Sequence, residues 1–231
     1  MIKAVIFDLD NTLIDFMSIK RASIDAAVTA MIASGLSMSK ENATRFMFRL
    51  YDEHGIEYQE IFQKFLEEVQ KKIDYRVLAA GIVAYRRLQL GLLEPYPNVV
   101  PTLLKLRERG YKLAILSDAP RLKAWIRLSE IRIADFFEVI VTFDDTGKMK
   151  PSIIPFRKVL KELNVAGNEC VMIGDNPIRD IKGAKKVGMK TVFARYGDTR
   201  GTGKSTADYE IESIEGLLEV VDNMKRAKPK L

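Results

Sequence analysis

The sequence is poor in the residues and segments that mark several large classes of protein. It has a single cysteine, Cys170, which excludes a disulfide framework and favours a reducing compartment. No apolar run approaches the roughly 18 residues that a membrane-crossing helix needs. The opening apolar stretch is too short for a signal peptide and is interrupted by acidic residues. These absences predict a cytoplasmic protein with no membrane partner.

Arginine-rich blocks and the basic-aromatic signatures of RNA-binding domains are also missing. The formal net charge is +6, but the basic residues are scattered in short clusters such as "RERGYK" and "KGAKK". We therefore expect no specific nucleic-acid partner. The excess charge is interpreted as a solvated surface with a mild attraction for small anions.

The 231 residues are 47% hydrophobic, which excludes intrinsic disorder and suffices for one core with a smaller satellite. After residue 96, short apolar runs alternate with amphipathic stretches, as in parallel strands covered by helices on both faces. The runs, together with the opening "VIF" (5–7), are "YKLAILS" (111–117), "FEVIVTF" (137–143), "CVMIG" (170–174) and "KTVFAR" (190–195). This pattern predicts a Rossmann-like, three-layer α/β core. One of its predicted helices is "NPIRDIKGAKKVG", in which Asn176 is placed as the N-cap and Pro177 as the first helical residue.

Residues 16–92 differ, because they show helical periodicity without a convincing strand. Glycines at positions 35, 55 and 91 mark the expected ends of helices in this segment. We interpret it as an all-helical, four-helix domain. The α/β core is then discontinuous and consists of residues 1–15 and 93–231.

Polar side chains follow four of the predicted strands, where the chain leaves the sheet. Ligands bind beyond the carboxyl ends of parallel strands, so these side chains should converge at one edge. In chain order they are Asp8 and Asp10, Ser117 and Asp118, Lys148 and Lys150, and Asp175 and Asp180. Neither histidine nor cysteine accompanies them, and His54 lies in the helical segment. Hard oxygen ligands select Mg²⁺, with Ca²⁺ or Mn²⁺ as alternatives, over zinc.

Four motifs carry a resemblance to a known family: "DLDNT", "LSD", "KMKP" and "GDNPIRDIKGAKKVGMKTV". In this order and spacing they resemble the haloacid dehalogenase (HAD) superfamily, specifically phosphatases with a helical, C1-type cap inserted after the first strand. The resemblance implies a Mg²⁺-dependent phosphatase that hydrolyses a small phosphate monoester through an aspartyl-phosphate. It also implies that residues 16–92 are a cap that opens to admit substrate and closes to exclude water.

The resemblance assigns roles to individual acids. Asp8 is the expected nucleophile, and Asp10 the general acid that protonates the leaving alcohol and then the base that activates water. The metal ligands are the Asp8 carboxylate, the Asp10 backbone carbonyl and Asp175. Asp180 either joins the metal, directly or through water, or orients Lys150. Asp10 also favours a phosphatase over a dehalogenase, because a leaving halide needs no proton.

Substrate binding is expected from Ser117, the backbone N–H of Asp118, Thr12 and a lysine that neutralises the phosphoryl group. The lysine is Lys150, before a proline, with Lys148 as the flanking alternative. Asp118 stands where the family commonly has asparagine, so its side chain should point away from the phosphate. Asn11 stands where glycine is commonest, and asparagine tolerates the same backbone angles.

The sequence does not identify the alcohol that is released from the phosphate ester. Phosphoglycolate, triose phosphates such as glyceraldehyde 3-phosphate, nucleotides and sugar phosphates all fit. A phosphomutase on the same core is an alternative reaction. From other classes, a phosphate-accepting receiver domain or a non-catalytic binding module would be an alternative function. A homodimer is compatible with the sequence, which does not determine the oligomeric state.

Overall fold

A computed structural model of the chain describes residues 1–199, 201 and 204–226. The chain divides into two compact units. The sheet unit is made of residues 1–15 and the described residues from 94 onward, and the helical unit is made of residues 16–93. The chain therefore leaves the sheet unit shortly after its first strand and returns to it after one continuous insertion.

The sheet unit is built on six strands, and every neighbouring pair of these strands is parallel. The strands are β1 (Ala4–Phe7), β2 (Lys112–Leu116), β3 (Val139–Val141), β4 (Cys170–Gly174), β5 (Lys190–Ala194) and β6 (Tyr209–Ile211). Their spatial order is β3-β2-β1-β4-β5-β6. The predicted parallel α/β core is confirmed. Strand β6 was not predicted, because its three residues, "YEI", contain no apolar run.

The strand order reverses at β1, with β2 and β3 on one side and β4, β5 and β6 on the other. In open parallel sheets such a reversal leaves a crevice beyond the carboxyl ends of the strands. Phe7 of β1 is in register with Ile115 of β2 and Ile173 of β4. The three central strands therefore end at nearly the same level, and the residues that follow them lie beside one another.

The described helices α1 to α4 belong to the helical unit, and α5 to α9 belong to the sheet unit. Their bounds are α1 (Phe16–Ala33), α2 (Lys40–His54), α3 (Ile61–Gln70), α4 (Tyr75–Gly91), α5 (Val99–Glu108), α6 (Arg121–Glu130), α7 (Ile153–Leu163), α8 (Lys182–Lys185) and α9 (Gly216–Arg226). A π-helical turn, Pro177–Ile181, directly precedes α8.

Both faces of the central strands are buried, which explains their near-continuous apolar sequences. On one face, Ala4 and Ile6 belong to a cluster with Phe156 of α7. Phe7 points to the opposite face, where its ring and that of Phe137 form a T-shaped contact with a centroid distance of 6.1 Å. A strand apolar on both faces can hold its end rigidly, since neither face is exposed to water.

The helical unit has its own core, and two of its helices, α2 and α4, begin at side-chain caps. The hydroxyl of Ser39 accepts a hydrogen bond from an amide of α2, and the Asp74 carboxylate accepts two from α4. Such caps typically stabilise a helix by about 1 kcal/mol. The largest fully buried side chains of this core are Ile24, Met31, Met47, Leu50 and Phe65. Across the described residues, no helix combines the length and the apolar composition needed to span a membrane.

Candidate active site

The loop after β1 is fixed by backbone hydrogen bonds at both of its ends. The Asp8 N–H donates to the carbonyl of Ile173 in β4 at 2.9 Å, and the Asn11 N–H donates to the carbonyl of Ile14 at 2.7 Å. Asn11 has a φ of 61°, a left-handed conformation that asparagine adopts more readily than most residues. The tight turn therefore holds Asp8 at the carboxyl end of the sheet.

Three buried carboxylates meet at this edge. Asp8 follows β1, Asp175 follows β4, and Asp180 lies in the π-helical turn. One oxygen from each carboxylate lies within 4.8 Å of the other two. The structure thus brings together three of the four residues predicted to bind the metal. The Asp10 side chain is not in this cluster, and the role expected of Asp10 there uses its backbone carbonyl.

The π-helical turn sets the position of Asp180. Asn176 caps the turn and Pro177 is its first residue, as the sequence predicted. The Lys182 N–H donates to the carbonyl of Pro177, five residues earlier, so the turn is wider than an α-helical one. The Asp180 carboxylate accepts the Asn176 N–H at 3.0 Å. Gly174 permits this packing, because a Cβ there would lie 2.3 Å from the Asp180 carboxylate.

Lys150 places its ammonium between two of the carboxylates. Its Nζ lies 2.7 Å from Asp8 Oδ1 and 2.7 Å from Asp180 Oδ1. It also donates to the backbone carbonyl of Leu116 at 2.9 Å. Burial by itself lowers the pKa of Lys150, but the charges of Asp180 and Asp8 outweigh it and raise the pKa overall. Lys148, the alternative, is exposed to solvent.

Ser117 and Asp118 join this site from the end of β2. The Ser117 hydroxyl is buried and accepts the Ala119 N–H at 3.1 Å, so it retains its own proton for donation. One oxygen of Asp118 accepts the Lys150 N–H at 2.8 Å, and the other lies 3.4 Å from Arg179 Nη1. The Asp118 side chain thus ties the Lys150 loop to the π-helical turn.

The Asp10 carboxylate is paired with an arginine that sequence reasoning missed. Arg127 Nη1 donates to Asp10 Oδ2 at 2.8 Å, and the two side chains are 6% and 21% exposed. Arg127 lies on the same face of α6 as the buried Ala124 and Leu128. The position of Arg127 among apolar residues of the helix could have indicated a buried charge, but the sequence did not show which residue it pairs with.

The other side of the loop packs against residues that follow β5. Thr12 is fully buried, its carbonyl accepts the Tyr196 hydroxyl at 2.8 Å, and its own Oγ1 has no hydrogen-bond partner among the described residues. A Cβ on Gly197 would lie 1.7 Å from the Asn11 carbonyl oxygen and 3.0 Å from the Asp175 Cβ. Only glycine allows the two segments to approach so closely. Neither Tyr196 nor Gly197 was predicted.

The electrostatic balance of the site fits a divalent cation. Asp175 Oδ1 is buried without a hydrogen-bond partner among the described residues, and its pKa is raised by burial and then by the charges of Asp8 and Asp180. The neighbouring charged groups have a formal net charge of −2, which one divalent ion would neutralise. They are the carboxylates of Asp8, Asp118, Asp175 and Asp180 and the cations of Lys150 and Arg179. The ligand atoms are hard oxygens, the set that magnesium-like ions prefer.

The chain matches known proteins along nearly its whole length. Residues 5–194 match the family described as haloacid dehalogenase-like hydrolase. A Methanocaldococcus jannaschii protein named glyceraldehyde 3-phosphate phosphatase is 33% identical over 229 residues, which covers 98% of this chain and 100% of that protein. A Pyrococcus abyssi protein of the same name is 36% identical, with 96% of this chain and 95% of that protein covered.

Among solved structures, a HAD phosphatase from Thermococcus onnurineus superposes on this chain with a TM-score of 0.70. The two sequences are 28% identical, and the match covers 95% of this chain and 98% of that one. The similarity therefore extends over both units of the chain as well as the sheet motifs.

Proposed function

The chain belongs to the haloacid dehalogenase-like hydrolase family, and from this premise we propose that it is a Mg²⁺-dependent phosphatase of glyceraldehyde 3-phosphate. The observation that carries the proposal is the buried contact of Lys150 Nζ with Asp8 Oδ1, within a cluster that also contains Asp175 and Asp180. A nucleophilic carboxylate, a cation and a metal-binding acid set are the parts that phosphoryl transfer from an alcohol to an aspartate requires.

In the first step, an oxygen of the Asp8 carboxylate attacks phosphorus. The ester P–O bond breaks, its electron pair goes to the leaving oxygen, and Asp10 supplies the proton that this oxygen needs. In the second step, Asp10 takes a proton from water, the water oxygen attacks phosphorus, and inorganic phosphate leaves while the Asp8 carboxylate is restored.

The phosphoryl group is held by donors at the ends of the strands. The Ser117 hydroxyl and the Asp118 N–H donate to its oxygens, and the buried Thr12 hydroxyl supplies a further donor. Three oxygens lie within 2.9 Å of Lys150 Nζ: Asp8 Oδ1 and the Leu116 carbonyl accept hydrogen bonds from it, and Asp180 Oδ1 is an ion-pair partner. Lys150 therefore acts first by neutralising the charge of the buried carboxylates and of the phosphoryl group.

Asp8, Asp175 and the Asp10 carbonyl would hold Mg²⁺, and we place Asp180 beside them as the residue that orients Lys150. When bound, the ion supplies positive charge that stabilises the phosphoryl oxygens. The full-length phosphatase relatives favour this reaction over the receiver-domain and binding-module alternatives.

Phosphate release by the purified protein tests the proposal. The substrates are glyceraldehyde 3-phosphate, phosphoglycolate and p-nitrophenyl phosphate, each with Mg²⁺ or with EDTA. We expect release that requires Mg²⁺ and is greatest for glyceraldehyde 3-phosphate. Asp8→Asn should abolish it, whereas Asp135→Asn, at an exposed aspartate of the same unit, should not change it. Mg²⁺-independent release, or full activity in Asp8→Asn, would contradict the proposal.

Three further expectations belong to this proposal. The helical insert, predicted as 16–92, is a cap that selects the leaving alcohol, and exchanging it with that of a relative should change substrate preference. The protein is cytoplasmic, which cell fractionation tests. We expect the protein to be a homodimer, which the molar mass from light scattering tests.

A further inference from the structure

Arg127 of α6 is a cation that the proposed mechanism does not use. Its side chain is 6% exposed and lies against Asp10, with Nη1 2.8 Å from Asp10 Oδ2. The two residues are 117 positions apart in the chain, so the contact depends on how α6 packs within the sheet unit. A buried guanidinium next to the proton-transferring carboxylate needs a physical account.

Stability alone is a poor account of this pair. Removing an arginine from water costs several kcal/mol, and replacing a buried ion pair with apolar residues of similar volume is often neutral or stabilising. The neighbouring positions on the buried face of α6, Ala124 and Leu128, are apolar. An apolar residue at position 127 would continue that face without the desolvation cost. The pair is better explained by what it does to Asp10.

We propose that Arg127 is a positioning residue that holds the Asp10 carboxyl group in the orientation needed to protonate the leaving alcohol, an inference that rests on the proposed phosphatase function. The guanidinium is always charged and only donates hydrogen bonds. Asp10 Oδ2 must therefore act as an acceptor toward Arg127, and the transferable proton is carried by Oδ1. The contact thus fixes which oxygen is the acid as well as the plane of the carboxyl group.

The chemistry of the leaving group gives a direct test. When an alkyl phosphate reacts with Asp8, the departing oxygen would become a strongly basic alkoxide, and it takes the Asp10 proton as the P–O bond breaks. When p-nitrophenyl phosphate reacts, the bond electrons go to a stable phenolate that needs no proton. Loss of orientation at Asp10 should therefore slow the first reaction and leave the second nearly unchanged.

The variants are Arg127→Met, which keeps a side chain of similar length without charge, and Arg127→Lys, which keeps the charge but lacks the planar guanidinium group. Arg121→Met is the matched control, because Arg121 is on the same helix and pairs with Asp145 at 2.8 Å. The measurement is kcat/KM for glyceraldehyde 3-phosphate and for p-nitrophenyl phosphate with Mg²⁺. This constant reports the steps through the first departure of the leaving group and omits the later hydrolysis of the aspartyl-phosphate. Melting temperatures establish that each variant is folded.

We expect Arg127→Met to lower kcat/KM for glyceraldehyde 3-phosphate by about 10- to 100-fold, which is no more than the low end of the roughly 10²- to 10⁴-fold that a positioned acid contributes, because Asp10 itself is retained. The value for p-nitrophenyl phosphate should change by less than about threefold, by the same reasoning. Arg127→Lys should show a smaller loss with the same selectivity, and Arg121→Met should show none. In an Asp10→Asn background, Arg127→Met should have no further effect on the alkyl phosphate.

An equal loss on both substrates, or an additive loss in the Asp10→Asn background, overturns this role and leaves the phosphatase proposal intact. If Arg127→Met does not fold, Arg127→Lys decides the question by the same ratio of the two rate constants. If the wild-type protein hydrolyses neither glyceraldehyde 3-phosphate nor p-nitrophenyl phosphate, the proposed function is overturned and, with it, the role assigned to Arg127.

Discussion

Replacing Lys150 with methionine removes the positive charge that lies between two buried carboxylates. Lys150 Nζ is 2.7 Å from Asp8 and 2.7 Å from Asp180, and the three side chains are at most 5% exposed. Methionine fills a similar volume, so the main loss is electrostatic. Asp8 and Asp180 would then face each other and Asp175 without the ammonium.

The magnitude follows from these distances. At 2.7 Å and an effective dielectric constant of about 20, each contact is worth about 6 kcal/mol before the ammonium is desolvated. Desolvation offsets much of this, and removing one member of a buried pair costs about 3–5 kcal/mol. For a chain of this size, each kcal/mol lowers the melting temperature by about 2–4 °C. Lys150→Met should therefore lower it by about 6–20 °C in metal-free buffer.

Thermal unfolding followed by circular dichroism, in EDTA and in saturating Mg²⁺, measures this effect. We expect Mg²⁺ to recover part of the loss, because a divalent ion supplies the missing positive charge. A ligand at 100 times its Kd stabilises the folded state by about 2.7 kcal/mol. Phosphate release should fall along with stability, since the nucleophile loses its neutralising partner.

The control is Lys158→Met, because Lys158 contacts Glu162 at 2.8 Å with side chains that are 34% and 40% exposed. Surface pairs contribute little, so this variant should melt close to the wild type. The reasoning is refuted if Lys150→Met melts no lower than Lys158→Met, or if Mg²⁺ fails to stabilise the Lys150 variant.

Three other perturbations have definite expected results. Gly197→Ala would place a Cβ 1.7 Å from the Asn11 carbonyl oxygen, so it should destabilise the protein by about 1–3 kcal/mol in urea unfolding and lower activity. Asp175→Asn removes a buried ligand charge and should weaken Mg²⁺ binding at least about tenfold by calorimetry. Burial alone raises the pKa of Asp145, but hydrogen bonds from Thr142 outweigh it and lower the pKa from its usual 3.8. The Asp145 carboxylate thus stabilises the folded protein at pH values above 3.8, and this stabilisation is lost as the pH falls through the lowered pKa. Asp145→Asn should therefore make the melting temperature fall less steeply at acidic pH.

These three variants have simple controls. Gly91→Ala introduces a Cβ with no heavy atom within 4 Å, so it should leave stability and activity unchanged. Asp135→Asn alters an exposed carboxylate and should change neither the Mg²⁺ affinity nor the fall in melting temperature at acidic pH. A Gly197→Ala protein as stable as Gly91→Ala would show that the loop after β5 can move away from Asn11 without cost.

The predictions that rested on local pattern were the most successful. Apolar runs located β1, β2, β3, β4 and β5, and their near-continuous character indicated a parallel sheet buried on both faces. Four motifs in order predicted a HAD-like phosphatase, and the family match and the full-length relatives confirm it. Asn176 and Pro177 marked the start of a turn because capping is governed by adjacent residues.

The predictions failed where the outcome depended on distant parts of the chain. β6 has only three residues and is a strand because β5 offers it a partner. The segment after Asn176 was predicted to be a helix, but it opens with a wider π-helical turn that directs Asp180 toward Lys150. The contact between Thr12 and Tyr196 joins residues 184 positions apart, and no local pattern records it.

The sequence by itself determined which residues stand at the ends of the strands, because strand formation follows local hydrophobicity and the polar residues come directly afterwards. It therefore determined the acidic set and the preference for a hard cation, and the resemblance of its motifs to a known family supplied the candidate nucleophile. Tertiary structure alone decided how those groups are paired: Lys150 with Asp8 and Asp180, and Arg127 with Asp10. Asp8 is 142 residues from Lys150 and Asp10 is 117 residues from Arg127, so these charges become neighbours only when the chain folds. Burial then strengthens their interaction by excluding water, and that packing is a property of the whole fold.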